Sequence, residues 1–226
     1  MSFMAQVFSL VRGKFYKSYF KRAIDIIGSS SLLILFSPIY VISAILIWID
    51  SPGPVLADVP ERVGEKGKKF KMFKFRSMIV NAHHLLRTDP RLKQLYEEYK
   101  KGSYKLKKDP RITGVGKFIR KHSIDEIPQL INVLKGEMSL VGPRAYYPDE
   151  LENQQKKFPQ TRKLVTEVLS VKPGITGLWQ VSGRSEINFD KRIAIDAMYI
   201  QNISLWMDLK IILKTPIVML SGQGAV

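Results

Sequence analysis

Hydrophobic and polar positions divide the chain unevenly. From Ala23 to Ile49 the only charged residue is Asp25, and the run exceeds the ~20 residues that cross a bilayer as a helix. It is apolar on all faces, unlike the one-sided helix of a soluble domain. It is also too long for a signal peptide and lacks a small-residue cleavage site behind it. Ser37-Pro38 interrupts the run. Pro38 has no N–H, and its ring clashes with the carbonyl of Ile34, which predicts a kink. The Ser37 hydroxyl is placed to bond a carbonyl one turn back.

The segments at either end of the chain are amphipathic. Val7 to Phe20 interleaves Phe8, Phe15, Tyr16, Tyr19 and Phe20 with Arg12, Lys14 and Lys17, predicting a basic interfacial segment. Leu205 to Leu220 sets Trp206, Leu209, Leu213 and Ile217 among Asp208, Lys210 and Lys214, which suits a helix lying in an interface or packed on the domain.

Between them, Ser51-Pro52-Gly53-Pro54 ends the apolar run. The turn from Arg62 to Lys69, followed by alternating Phe70, Met72, Phe73 and Phe75, predicts a strand and a small hairpin. Helical patterns cover 81–87, 92–101, 151–169 with a break near Pro159, and 188–199; a Gly-rich loop around Trp179 covers 173–184. The fold class is therefore α+β, mainly α-helical with a small β-hairpin. It divides into a basic interfacial segment (1–22), a membrane helix (23–50), and one domain over 51–226 that includes a C-terminal interfacial helix.

Charge changes this picture in one respect. The 226 residues carry 36 Lys and Arg against 20 Asp and Glu, a formal charge of +16. That imbalance calls for anionic partners: nucleic acid, lipid headgroups or phosphorylated substrates. The apolar run and the lack of a recognisable nucleic-acid motif turn the reading away from nucleic acid. Basic clusters flank the run on both sides, Lys14 to Arg22 before it and Arg62 to Arg76 after it. The positive-inside rule then wants both ends on one face. A bent, re-entrant helix with arms of about 18–22 Å satisfies this. A single kinked span stays open, because proline is tolerated in membrane helices. The absence of cysteine removes disulfide and thiolate chemistry.

The densest chemical signal lies between Arg120 and Arg144. Ser123, Asp125 and Glu126 precede the apolar pattern Ile127, Leu130, Ile131, Val133 and Leu134. Ser123 and Glu126 have capping-box spacing, and Pro128 falls in the first turn. Two carboxylates thus sit at a helix N-terminus, where most acidic residues only cap. Their surroundings favour more. Arg120 and Lys121 precede the pair, Gly142-Pro143-Arg144 can present a guanidinium on a fixed turn, and Lys74 with Arg76 forms a second basic pair. Carboxylates among cations suit phosphoryl chemistry, as nucleophile or metal ligand. His83-His84 tempts a metal reading, but adjacent helical residues point about 100° apart, which favours a surface role.

At this block the sequence resembles the bacterial sugar transferase family, the polyprenyl-phosphate hexose-1-phosphate transferases. The resemblance runs from Lys21 onward. Its motifs are Lys21-Arg22 with Asp25, Ser37-Pro38, Ser51-Pro52-Gly53-Pro54-Val55, Lys74-Phe75-Arg76-Ser77-Met78, Asp109-Pro110-Arg111-Ile112-Thr113, Ser123-Ile124-Asp125-Glu126-Ile127-Pro128-Gln129-Leu130, Asn132 to Arg144, Pro173-Gly174-Ile175-Thr176-Gly177 and Ser182-Gly183-Arg184, all in family order.

The resemblance implies transfer of a sugar 1-phosphate from a UDP-sugar to a polyprenyl (undecaprenyl) phosphate, releasing UMP and initiating surface-glycan synthesis. It makes Asp125 the nucleophile of a covalent phospho-sugar intermediate and a ligand of a magnesium cofactor, with Glu126 assisting. Lys74, Arg76, Arg120, Gln129, Pro143, Arg144 and Arg184 become the substrate- and phosphate-binding candidates. The resemblance favours the re-entrant helix broken at Ser37 and Pro38, in a minimal monotopic form on the cytoplasmic face of the bacterial inner membrane. The partners expected are the UDP-sugar, the polyprenyl phosphate and an anionic lipid surface, with no nucleic acid and a homodimer as a candidate assembly. A non-catalytic scaffold of a glycan-assembly complex is the rival reading, and the intact acidic pair counts against it. Two departures stand out. The stretch Leu56 to Glu61 lacks the Gln that many members carry before the Arg, and Ala145 replaces the proline of Gly-Pro-Arg-Pro.

Overall fold

A computed structural model describes residues 16–101, 104, 106, 108–183 and 187–221. The apolar run forms two helices, α1 (Lys21–Leu35) and α2 (Ser37–Asp50), bent by 60° across Phe36. Pro38 sits in the first turn of α2, where its missing N–H costs nothing. The Ser37 hydroxyl donates to the Ile34 carbonyl at 2.8 Å, so the proline's break is stitched by its neighbour. Among the described residues no single helix is long and apolar enough to cross a membrane; the bent pair passes that test only together.

One face of the pair is apolar and open: Ile27, Ile34, Leu35, Val41, Ile42, Trp48 and Ile49 are each more than half exposed. The opposite face is tied to the domain by polar groups. Asp25 accepts from the Ser139 hydroxyl and the Leu140 N–H, both at 2.9 Å. Arg22 donates to the carbonyls of Val133 and Leu134, and Lys21 pairs with Asp208 at 2.5 Å. The sequence presents Lys21 and Arg22 as flanking charge; in the fold they dock α1. Of the basic N-terminal segment (1–22) the described residues are Lys21 and Arg22, which open α1, and Tyr16–Phe20, a π-helical turn. Tyr16 is buried there and donates to Asp208 at 2.7 Å, whereas Tyr19 and Phe20 are exposed.

The hairpin is present but short. β1 (Arg62–Val63) pairs antiparallel with β2 (Lys69–Phe70). The alternating run beyond Phe70 continues as extended chain. Its backbone is held by the Asn132 side chain at Phe73 N–H and Lys71 carbonyl and by a single bridge from Phe75 to Leu56. With no partner strand beyond Phe70, the ladder stops. A second sheet was not foreseen: β3 (Ser139–Val141) lies parallel to β4 (Gly174–Thr176). Three-residue strands are too short to show an alternating pattern. Here the backbones crowd so closely that a Cβ on Gly174 would fall 2.0 Å from the Gly142 nitrogen.

The remaining helices are α3 (Ala82–Thr88), α4 (Lys93–Lys101), α5 (Gly114–Lys121), α6 (Gln129–Lys135), α7 (Pro148–Lys157), α8 (Arg162–Val168), α9 (Leu178–Ser182), α10 (Phe189–Gln201) and α11 (Leu205–Ser221). α5 and α9 were not expected, and α9 lies inside the supposed Gly-rich loop. Gly114 and Gly116 weaken the helical signal of α5. Gly116 is needed because a Cβ there would meet the Ser77 carbonyl at 2.0 Å, and Thr113 caps the helix by accepting from Gly116 N–H at 3.0 Å. The main core gathers Phe70, Met72, Leu130, Val133, Met138, Val141, Tyr199 and Ile211, and α1 packs along α6 above it. α11 buries Ile211 and Asp208 against the domain and leaves Trp206, Leu213 and Ile217 exposed.

Candidate active site

α5 ends at Lys121, and the chain reverses through Ser123, whose φ of 54° lies in the left-handed region. Ser123 makes no side-chain cap, so the capping box expected from its spacing to Glu126 does not form. Instead Ile124–Glu126 makes a 3-10 turn, and α6 begins only after Pro128. This places the acidic pair one turn ahead of the helix. The Phe75 N–H donates to the Asp125 carbonyl at 3.0 Å and locks the turn to the extended chain that carries Lys74.

The two carboxylates differ. Asp125 is 7% exposed, and Glu126 is half-buried. The Lys74 ammonium lies 2.8 Å from Glu126 and 3.4 Å from Asp125. Burial pushes the Asp125 carboxyl above its ordinary value; Lys74 and Arg120 pull it down, and Glu126 pushes it up. For Lys74, burial opposes the charge, but Glu126 and Asp125 outweigh it and hold the ammonium above its ordinary value. The result is a buried carboxyl whose net shift is upward, with Lys74 and Arg120 opposing its burial, while Glu126 holds the lysine more closely.

Both acids open into a cavity of about 270 Å³ whose wall includes Arg62, Lys74, Arg111, Arg120 and Arg144. Arg144 follows β3. Its N–H donates to Asp196 at 3.2 Å, and its guanidinium stacks 5.3 Å from the Trp179 ring centre and 4.0 Å from Glu150. Arg192 stacks on the same ring at 5.0 Å and lies 3.6 Å from Glu150. Burial pushes the Asp196 carboxyl up to about 7, against the hydrogen bonds from Arg144 N–H and the Tyr146 hydroxyl.

Other expected site residues are placed differently. Arg76 reaches the cavity wall, but its guanidinium donates to the carbonyls of Ser51 and Pro52 and to the Ser51 hydroxyl, holding the exit of α2. Gln129 is buried at the start of α6 and does not line the cavity. Pro143 likewise forms no part of the wall; its carbonyl accepts from Gly174 N–H at 2.9 Å. Arg184 lies outside the described residues.

The sequence model described as Bacterial sugar transferase matches residues 16–222. The chain belongs to the bacterial sugar transferase family. Two relatives are the UDP-galactose-lipid carrier transferase of Erwinia amylovora and the undecaprenyl-phosphate galactose phosphotransferase of Salmonella typhimurium. Each is 44% identical over 92% of this chain and 42% of its own length. The chain thus spans about two fifths of those two relatives. The exopolysaccharide production protein ExoY of Rhizobium meliloti is 41% identical over 89% of this chain and 86% of its own length.

At the departure Ala145 the backbone carbonyl, which a proline would offer equally, accepts from Arg62 at 3.1 Å. His83 corrects the surface role expected of it, because α3 turns its ring onto the cavity wall, 6.4 Å from the Tyr147 ring. Burial, with Arg111, Arg62, Arg87 and Lys74 nearby, pushes its imidazole down to about 4, so it is neutral at pH 7. His84 is exposed. Arg62, Arg111, Tyr147 and Trp179 also line the cavity and were not singled out as site residues. For Arg111 a signal existed: Asp109-Pro110-Arg111 folds into a two-bond ion pair at 2.8 and 2.6 Å.

Proposed function

We propose that this chain transfers a sugar 1-phosphate from a UDP-sugar to a polyprenyl phosphate, with Asp125 as the nucleophile. The observation that carries the reading is the buried Asp125 carboxylate in a cation-lined cavity, with Lys74 bound mainly to Glu126. The names of the Erwinia and Salmonella relatives, a UDP-galactose-lipid carrier transferase and an undecaprenyl-phosphate galactose phosphotransferase, agree with it.

In this reading an Asp125 oxygen attacks the phosphorus that bears the sugar. The bond from that phosphorus to the bridging oxygen breaks, and UMP leaves with the electron pair. An oxygen of the lipid phosphate then attacks the same phosphorus and expels the Asp125 carboxylate, leaving a lipid-diphosphate sugar. The attacking carboxylate must be ionised, and Lys74 and Arg120 favour that form against its burial. Glu126 orients Lys74, and Arg144, braced by Trp179 and Glu150, is placed to grip a phosphate. Hard cations such as magnesium are held by one or two carboxylates plus substrate phosphates. Asp125 and Glu126 fit that donor set and would hold the ion, which supplies neutralising charge on the diphosphate.

The proposal extends to the membrane. Each arm of the α1–α2 pair is about 21–22 Å long, short of ~30 Å of hydrocarbon. The open apolar face would enter one leaflet and return, keeping both ends on the cytoplasmic face of a bacterial inner membrane, with exposed Trp206, Leu213 and Ile217 of α11 in the interface. The reaction would be the first membrane step of surface-glycan assembly. Incubation with magnesium, polyprenyl phosphate and a panel of labelled UDP-sugars tests the reading: label moves to the lipid phase with one or more sugars, and no movement with any of them contradicts it.

A further inference from the structure

The cations of the cavity are not equally engaged. Arg111 is matched by Asp109, Arg76 donates to the carbonyls of Ser51 and Pro52, and Lys74 is held by the acidic pair. Arg62 differs. It is 8% exposed and lines the same cavity. Among the described residues, no carboxylate lies within 4.0 Å of it. Its Nη1 donates to the Ala145 carbonyl at 3.1 Å, and its guanidinium carbon sits 3.3 Å from the Tyr147 ring centre. Its Nε, like those of Arg76 and Arg144, is buried with no hydrogen-bond partner.

A guanidinium buried without a counter-anion is costly. Here the carbonyl and the stacked ring fix the plane of the fork before any ligand arrives, and a planar, fixed fork matches a phosphate through two parallel bonds. Arg62 also acts on the charges of Lys74 and His83, so it stands within electrostatic reach of the lysine that serves the acidic pair. Neither neighbour offers it an anion.

We propose that Arg62 is a phosphate-binding residue of this cavity, with Tyr147 as the positioning residue that holds its plane. The assignment rests on the sugar-phosphate transfer reading above. The oxyanion belongs either to the diphosphate of the UDP-sugar or to the phosphate of the polyprenyl lipid; the chemistry is the same, and kinetics separates the two.

The test compares wild type with Arg62→Met and Arg62→Lys in two ways. In transfer kinetics, Arg62→Met is expected to raise one KM by about 10- to 100-fold, as for loss of a charge-assisted bond, with kcat changed far less. A rise for the UDP-sugar assigns its diphosphate, and a rise for the lipid assigns the lipid phosphate. In calorimetry with inorganic pyrophosphate, wild type is expected to bind and Arg62→Met to bind at least about tenfold more weakly. Both KM values within twofold of wild type, together with equal pyrophosphate binding, would overturn the proposal. Should Arg62→Met fail to fold, Arg62→Lys decides by the same readings, since it keeps the charge and loses the fork. If wild type transfers no sugar at all, the proposed function falls, and the pyrophosphate titration still decides for or against Arg62.

Discussion

Lys74 lies nearer to Glu126 than to Asp125, at 2.8 Å against 3.4 Å. The lysine therefore does two unequal things: it bonds one acid firmly and biases the charge of the other. Glu126→Gln is expected to lower kcat by roughly 10- to 100-fold, as for loss of an orienting group, because Lys74 then collapses toward Asp125 and competes for the attacking oxygen. A Glu126→Gln protein with wild-type kcat would contradict this division of roles.

Lys74→Met removes the main group that lowers the Asp125 pKa, leaving burial and Glu126 to raise it. The acid limb of the kcat/KM–pH profile should therefore move to higher pH. A pH–rate series from about 5 to 9 reads the limb, which brackets carboxylate titration in a buried site. An unmoved acid limb would show that Lys74 does not set the charge of Asp125.

Asp196 gives a stability prediction. Its folded-state pKa is raised by burial to about 7 from an ordinary 3.8. A carboxyl with a raised folded pKa adds stability that is full below its ordinary value and is lost as pH rises through the folded value. Asp196 should thus destabilise the fold progressively from about pH 4 to about pH 7, by up to a few kcal/mol. Asp196→Asn should flatten that part of the curve in thermal unfolding between pH 4 and 8. A parallel curve for the variant would exclude the assignment.

The chain contains no cysteine, so single introduced cysteines report topology directly. Sites at Phe20 and at the exposed Pro52, at the outer ends of the α1–α2 pair, should react with a membrane-impermeant thiol reagent from the same side in sealed inverted vesicles. Reaction from opposite sides would mean a true span. Changing Ser37 and Pro38 both to Ala removes the stitch and the break, so part of the population should convert to the spanning form, with loss of transfer activity.

The elements that sequence reading recovered are those with strong local punctuation. Ser37-Pro38 announced the bend, and the helices of 81–101, 188–199 and 205–220 carried apolar stripes or clear breaks. The Asp125-Glu126 pair stood out through its position before an apolar helix and its family motif. What was lost depended on contacts distant in sequence. β3 and β4 pair across more than thirty positions of chain (Ser139 with Gly174) and are too short to show a period. α5 hides behind glycines that its neighbour Ser77 requires. Arg62 read as flanking charge because its burial comes from Tyr147 and Ala145, far along the chain. Arg76 lines the cavity as a phosphate-ligand candidate would, but its bonding to the Ser51 and Pro52 carbonyls is invisible in one dimension.

The most direct test of the central claim is to look for the covalent intermediate. Purified protein is mixed with UDP-sugar and magnesium without lipid phosphate, quenched, and digested for mass spectrometry. The peptide containing Asp125 is expected to carry the mass of one sugar phosphate, with the adduct absent from Asp125→Asn and lost on adding polyprenyl phosphate. An adduct on another residue, or wild-type transfer rates in Asp125→Asn, would contradict the assignment of Asp125 as the nucleophile.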